Sequence, residues 1–125
     1  SSGAFPMPPS RTHDADRLLP LKPVMFQILL SLADGERHGY GITQDIAART
    51  AARMRIEPGN LYRSLRTLLD EGVIVESERR PAPDLDDERR RYYRITPFGR
   101  RVAAAETARL EALVLEAKGK RWMRT

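Results

Sequence analysis

The sequence predicts a mainly α fold with one small β-hairpin, on three observations. Four stretches carry apolar residues at helical spacing, and three of these have a proline in the opening turn (Pro23, Pro58 and Pro97). Two runs rich in β-branched and aromatic residues, 73–79 and 90–95, flank Pro81-Ala82-Pro83-Asp84-Leu85-Asp86-Asp87-Glu88, whose prolines and acids bar any regular element. The elements come in the order helix, helix, helix, hairpin, helix.

The first helix is expected over about residues 20–33. Val24, Met25, Phe26, Ile28, Leu29, Leu30 and Leu32 make it apolar on nearly every side. Such a helix must be covered all round, and a small domain covers one face, so the remainder points to a second subunit. Asp34-Gly35-Glu36-Arg37 reads as a turn. A second helix is expected from Gly39 to about Ala51, with His38 placed to cap it and Tyr40, Ile42, Ile46 and Ala47 as its apolar side. The third runs over about residues 58–71, with Leu61, Leu65, Leu68 and Leu69 as a core stripe and Gly72 as its stop. In the second strand, alternation places Tyr93 and Ile95 on one face and Tyr92 and Arg94 on the other. Thr96 and Pro97 start a fourth helix that runs to about Lys118, with Leu110, Leu113, Val114 and Ala117 on its apolar side.

The chain has 125 residues, one domain's worth, and divides into three parts: an arm over 1–19, expected to be disordered from Pro6, Pro8, Pro9 and its lack of an apolar period; a body over 20–96; and a C-terminal helix and tail over 97–125. There is no cysteine, which excludes disulfides, thiolate zinc and Cys nucleophiles. His13 and His38 are the only imidazoles, too few for a His-based metal site or triad, so no metal and no cofactor is expected. The longest apolar stretch, 24–33, is too short for a bilayer, which takes about 20 residues, and a cytoplasmic location is expected. Lys and Arg number 22 against 17 acids, net +5, a balance that favours a polyanionic partner.

This element order is that of a winged helix-turn-helix followed by an extra helix. The third helix carries Asn60, Arg63, Ser64, Arg66 and Thr67 away from its apolar stripe, and the hairpin holds Arg79, Arg80, Arg89, Arg90 and Arg91 at its far end. A helix that fits the major groove beside a basic hairpin suits reading bases with one and gripping phosphates with the other.

Four pieces, His38-Gly39-Tyr40, the run 57–65 (Glu-Pro-Gly-Asn-Leu-Tyr-Arg-Ser-Leu), Leu69-Asp70-Glu71-Gly72-Val73-Ile74 and the run 91–99 (Arg-Tyr-Tyr-Arg-Ile-Thr-Pro-Phe-Gly), in this order and spacing, resemble the PadR family of transcriptional regulators over about residues 20–118. The resemblance implies a homodimeric winged-helix repressor on a pseudo-palindromic operator of double-stranded DNA, with the fourth helix mediating dimerisation as in the smaller subfamily. It also admits a small planar effector between subunits. Two features depart from the family's pattern: the loop before Arg89 is acidic, and Asn60 stands where Thr is common.

Asn60, Arg63 and Arg66 are the groove candidates. Arg suits guanine O6/N7 and Asn adenine N6/N7, each good pair discriminating by about 1–3 kcal/mol. Against this stands a plain solvated helix face, and Arg66 lies a turn further from the helix start. Pro58 and Gly59 initiate the helix, and Gly59 also permits close approach to a phosphate. Tyr40 and Tyr62 fit apolar positions with rings whose hydroxyls can reach a phosphate. Arg90 and Arg91 are read as wing contacts, although pairing with Asp86, Asp87 and Glu88 is the bland alternative. The dimer face is expected to combine Phe26, Leu29 and Leu30 with Leu110, Leu113, Val114 and Ala117, placing two recognition helices roughly 34–36 Å apart. Trp122 is open to three roles: packing on a partner, lining an effector cavity, or lying free. The competing class is a winged-helix protein-interaction module, which the same fold supports. An enzyme is not expected, since no nucleophile–base pair, metal cluster or phosphate-cradling loop is present.

Overall fold

A computed structural model describes residues 15–78 and 91–123. Helix α1 spans Pro23–Leu32, strand β1 Arg37–His38, α2 Gly39–Arg49, α3 Pro58–Asp70, β2 Ile74–Glu76, β3 Tyr92–Ile95 and α4 Pro97–Lys118, with a 3₁₀ turn at Arg121–Met123. The strands form an antiparallel sheet in the order β1-β3-β2, with Arg37 opposite Tyr93 and Ile74 opposite Ile95. This is a mainly helical winged helix-turn-helix with an added long helix. Among the described residues no helix is long and apolar enough to cross a membrane.

The element ends follow from local chemistry. His38 Nδ1 accepts the Gly41 N–H at 2.8 Å and caps α2. Thr96 Oγ1 accepts the Gly99 N–H at 2.8 Å and caps α4. At the end of α3, Gly72 adopts φ +77°, its N–H reaches the Leu69 carbonyl and the Val73 N–H the Leu68 carbonyl, which closes the helix in a Schellman turn. Glu57 stands at the N-cap of α3 without a side-chain cap bond, so the helix start rests on Pro58.

One core joins all the layers. Ile28, Leu29 and Leu32 of α1, Ile42 and Ile46 of α2, Leu61, Leu65 and Leu68 of α3, Tyr93 and Ile95 of β3, and Val102 of α4 are buried together with Val73 and Ile74.

Several expectations shift. Helix α1 starts at Pro23, and α2 stops at Arg49 because Ala51 (φ 53°) and Ala52 (φ 64°) turn left-handed, with the Ala52 N–H on the Ala47 carbonyl at 2.7 Å. Arg37 and His38, read as turn and cap, also pair with β3 as a short strand. The ordered chain begins before residue 20: Ala15 is buried, Leu18 and Leu19 pack against the core, and Arg17 reaches Glu71 at 3.2 Å. Residues 1–14 of the expected arm and 79–90 of the expected wing lie outside the described residues.

Candidate nucleic-acid interface

Helix α3 has two chemically opposite sides. Leu61, Leu65 and Leu68 are buried, whereas Pro58, Gly59, Arg63, Arg66 and Thr67 are exposed and Asn60 is half-buried. Thr67 Oγ1 donates to the Arg63 carbonyl at 3.1 Å. The structure therefore brings Pro58, Gly59, Asn60, Arg63 and Arg66 to one side of one helix. Ser64, expected beside them, is buried at 6% exposure and belongs to the inner side.

Tyr62 is half-buried and turned inward. Its hydroxyl lies 2.9 Å from where a Cβ would stand on Gly39, so a side chain there would have to push the tip of the Tyr62 ring aside. Tyr40 is 64% exposed, and its ring centroid lies 6.5 Å from that of His38, which in turn lies 5.3 Å from Tyr92. Of the two tyrosines, Tyr40 is the one open to a ligand.

Arg91 packs against the protein. Its Nη1 lies 3.3 Å from Glu76 Oε2, and its buried Nε has no partner among the described residues. Arg91 and Glu76 share a small recess with Tyr62 and Arg66, between α3 and the sheet. Arg79, Arg80, Arg89 and Arg90 lie outside the described residues. Sequence reading passed over two exposed sources of positive charge. Arg94 stands exposed on β3, as its alternation with Tyr93 already signals, and Arg53 and Arg55 are exposed in the connection leading to α3.

A second surface gathers on α4. Its first half is held by the body: Gly99, Val102 and Glu106 are buried. Glu106 takes both forks of Arg109, at 2.7 and 2.9 Å. The Arg109 hydrogen bonds, joined by one from the Leu21 backbone, outweigh burial and hold the Glu106 carboxyl below the usual range. The same pairing raises Arg109. Beyond it, Leu113 (48%), Val114 (50%), Leu115 (67%) and Trp122 (73%) face water, with Leu110 and Ala117 half-buried. Leu30 on α1 is 40% exposed and Phe26 is half-buried. Leu29, expected on this face, is only 1% exposed and is a core residue. Among the described residues no group of three His, Cys, Asp or Glu side chains could hold a metal ion.

The chain is similar to known proteins over most of its length. A sequence profile of the transcriptional regulator PadR-like family matches residues 28–105. The transcriptional regulator Rv3488 of Mycobacterium tuberculosis is 35% identical over 96 residues, which is 77% of this chain and 83% of that protein. A transcriptional regulator from Clostridium thermocellum superposes with a TM-score of 0.65 at 28% identity, covering 78% of this chain and 93% of the other. Bacillus subtilis PadR, solved in complex with operator DNA, shares the fold with a TM-score of 0.60 at 20% identity, over 76% of this chain and 59% of its own.

Proposed function

The chain belongs to the PadR-like family of transcriptional regulators, and on that premise we propose that it is a cytoplasmic, homodimeric repressor that seats α3 of each subunit in one half of a pseudo-palindromic operator. The observation that carries this reading is the division of α3: an apolar side fully used by the core, and an opposite side presenting Pro58, Gly59, Asn60, Arg63 and Arg66 to solvent. A fold neighbour from Bacillus subtilis has been solved on operator DNA.

In this reading Asn60 and Arg63, nearest the helix start, address base edges. Arg66, Tyr40 and the exposed Arg94 address phosphates, with Arg90 at the wing. Arg91, committed in part to Glu76, supports the wing as well as touching the backbone. The second copy covers Leu113, Val114 and their neighbours on α4 together with Leu30 and Phe26. A planar effector would stack on Trp122, which borders an open recess with Leu113, Ala117 and Lys120, and release the DNA by reshaping the subunit contact.

A fluorescence-anisotropy titration against the protein's own promoter-region duplex, at two salt concentrations and with a scrambled competitor, tests the reading. Saturable binding that survives the competitor at the higher salt is expected. Asn60→Ala and Arg63→Ala should each then cost about 1–3 kcal/mol of affinity and relax discrimination at one base position. Equal binding to the scrambled duplex would contradict the reading and favour a winged helix that serves a protein partner.

A further inference from the structure

Arg49, the last residue of α2, reaches across to α1 with both terminal nitrogens of its guanidinium. Its Nη1 donates to Gln27 Oε1 at 2.7 Å, and its Nη2 to the Gln27 carbonyl at 3.1 Å and to Ser31 Oγ at 2.8 Å. Its Nε is held by Asp45 Oδ2 at 2.8 Å, one turn back on α2. Arg37 of β1 closes the ring, with Nε on the Ser31 carbonyl at 2.8 Å and Nη2 3.5 Å from Asp45 Oδ1. Ser31, at the centre, is 1% exposed and accepts from Arg49 through its Oγ and from Arg37 through its carbonyl.

These contacts occupy one of three sides of α1. Ile28, Leu29 and Leu32 face the core. Gln27 and Ser31, four residues apart, face α2. Phe26 and Leu30, also four apart, lie about 100° round from them, on the side read above as meeting the second copy. On that reading a single helix meets both the second copy and the DNA-binding unit. Apolar packing between α1 and α2 resists separation but slides readily. A planar fork with four acceptors on two helices fixes their angle.

We infer that Arg49 is a positioning residue that sets the angle between α1 and α2, and through it the spacing at which two recognition helices can engage one duplex. The inference rests on the homodimer reading, because spacing has meaning only for two copies. A protein that needs Arg49 merely to stay folded would lose affinity for one half-site and for two alike. A protein that needs it for spacing loses the gain from binding both at once.

The test uses the full chain, a labelled duplex carrying the promoter segment the protein protects, and the same duplex cut at its centre. Arg49→Lys keeps the charge but cannot hold Gln27, Ser31 and Asp45 together. The variant is expected to remain dimeric and to bind the half-site within about twofold of wild type, while its affinity for the whole segment falls about tenfold or more. It should also discriminate less against segments lengthened or shortened by one base pair. Ser31→Ala, which removes one of the four acceptors of Arg49, should show a smaller loss of the same kind. Equal losses on half and whole segments, or no loss on either, would overturn the inference. A wild-type chain that is monomeric, or that binds the whole segment no better than the half, would overturn the dimer reading and the inference with it; that result is read on wild type alone.

Discussion

The two halves of α4 are one continuous helix with opposite relations to the rest of the chain. In the first half Gly99 lies directly on the Val73 backbone, Val102 is fully buried, and Glu106 is 2% exposed with Arg109 and the Leu21 backbone as partners. In the second half Leu113, Val114 and Leu115 are 48%, 50% and 67% exposed. A helix gains stability mainly from the surface it packs against, and isolated ends of this length are marginal in water. The first half completes the domain, whereas the second leaves a contiguous apolar surface of the kind that marks an interaction site. The family match, which runs to residue 105, stops close to where the two halves meet.

Substitutions in the two halves should therefore differ in kind as well as size. The largest effect is expected at Gly99→Ala, where the new Cβ would overlap the Val73 carbonyl, a backbone atom that cannot step aside. A loss of about 3 kcal/mol is predicted from such overpacking, read as a lower urea midpoint with unchanged slope. A midpoint equal to wild type would show that the first half is not held as tightly as its contacts imply.

Glu106→Gln comes next, at about 1–3 kcal/mol, because a charged acceptor is lost and a buried amide faces donors. Its pH dependence has a fixed sign. The folded carboxyl is held below its usual value of 4.5. The stabilisation is therefore full above that value and lost as pH falls through and below it. The variant should be less stable than wild type at pH 7, and the gap should narrow on acidification below about pH 4.5. A gap that widens there would contradict the pairing with Arg109.

The smallest effect on folding is expected from Leu113→Gln with Val114→Gln, within about 0.5 kcal/mol for the isolated subunit, since both residues are already about half exposed. The same pair should abolish self-association. Loss of folding in this variant would erase the distinction between the two halves.

Much of this could be read from the sequence. The leucine spacing of α3, the prolines at three helix starts, and the Thr96 and His38 caps are local signals, and each appears where it was expected. What could not be read depends on phase and register. An all-apolar run does not say which residue turns inward, so Leu29 joined Leu30 on the expected outer face although it lies in the core. The pairing of Arg91 with Glu76 requires the strand register, which places Glu76 opposite Tyr93. Strand β1 exists because β3 lies beside it, and two residues carry no period of their own. Ala51 read as the end of α2, since alanine favours helix, yet Ala51 and the linker residue Ala52 both turn left-handed to lead the chain toward α3. The groove candidates Asn60, Arg63 and Arg66 share a helix side as the stripe implied, whereas Ser64, read beside them, sits at its buried edge.

The central claim is that a second copy of this chain covers the outer half of α4. Sedimentation velocity of the full chain over a range of concentrations tests it most directly, with Leu113→Gln plus Val114→Gln as the reference. A wild-type species at twice the 14.2 kDa chain mass, reduced to a single chain mass in the variant, is the predicted result. A wild-type protein that sediments as one chain at every concentration would contradict it.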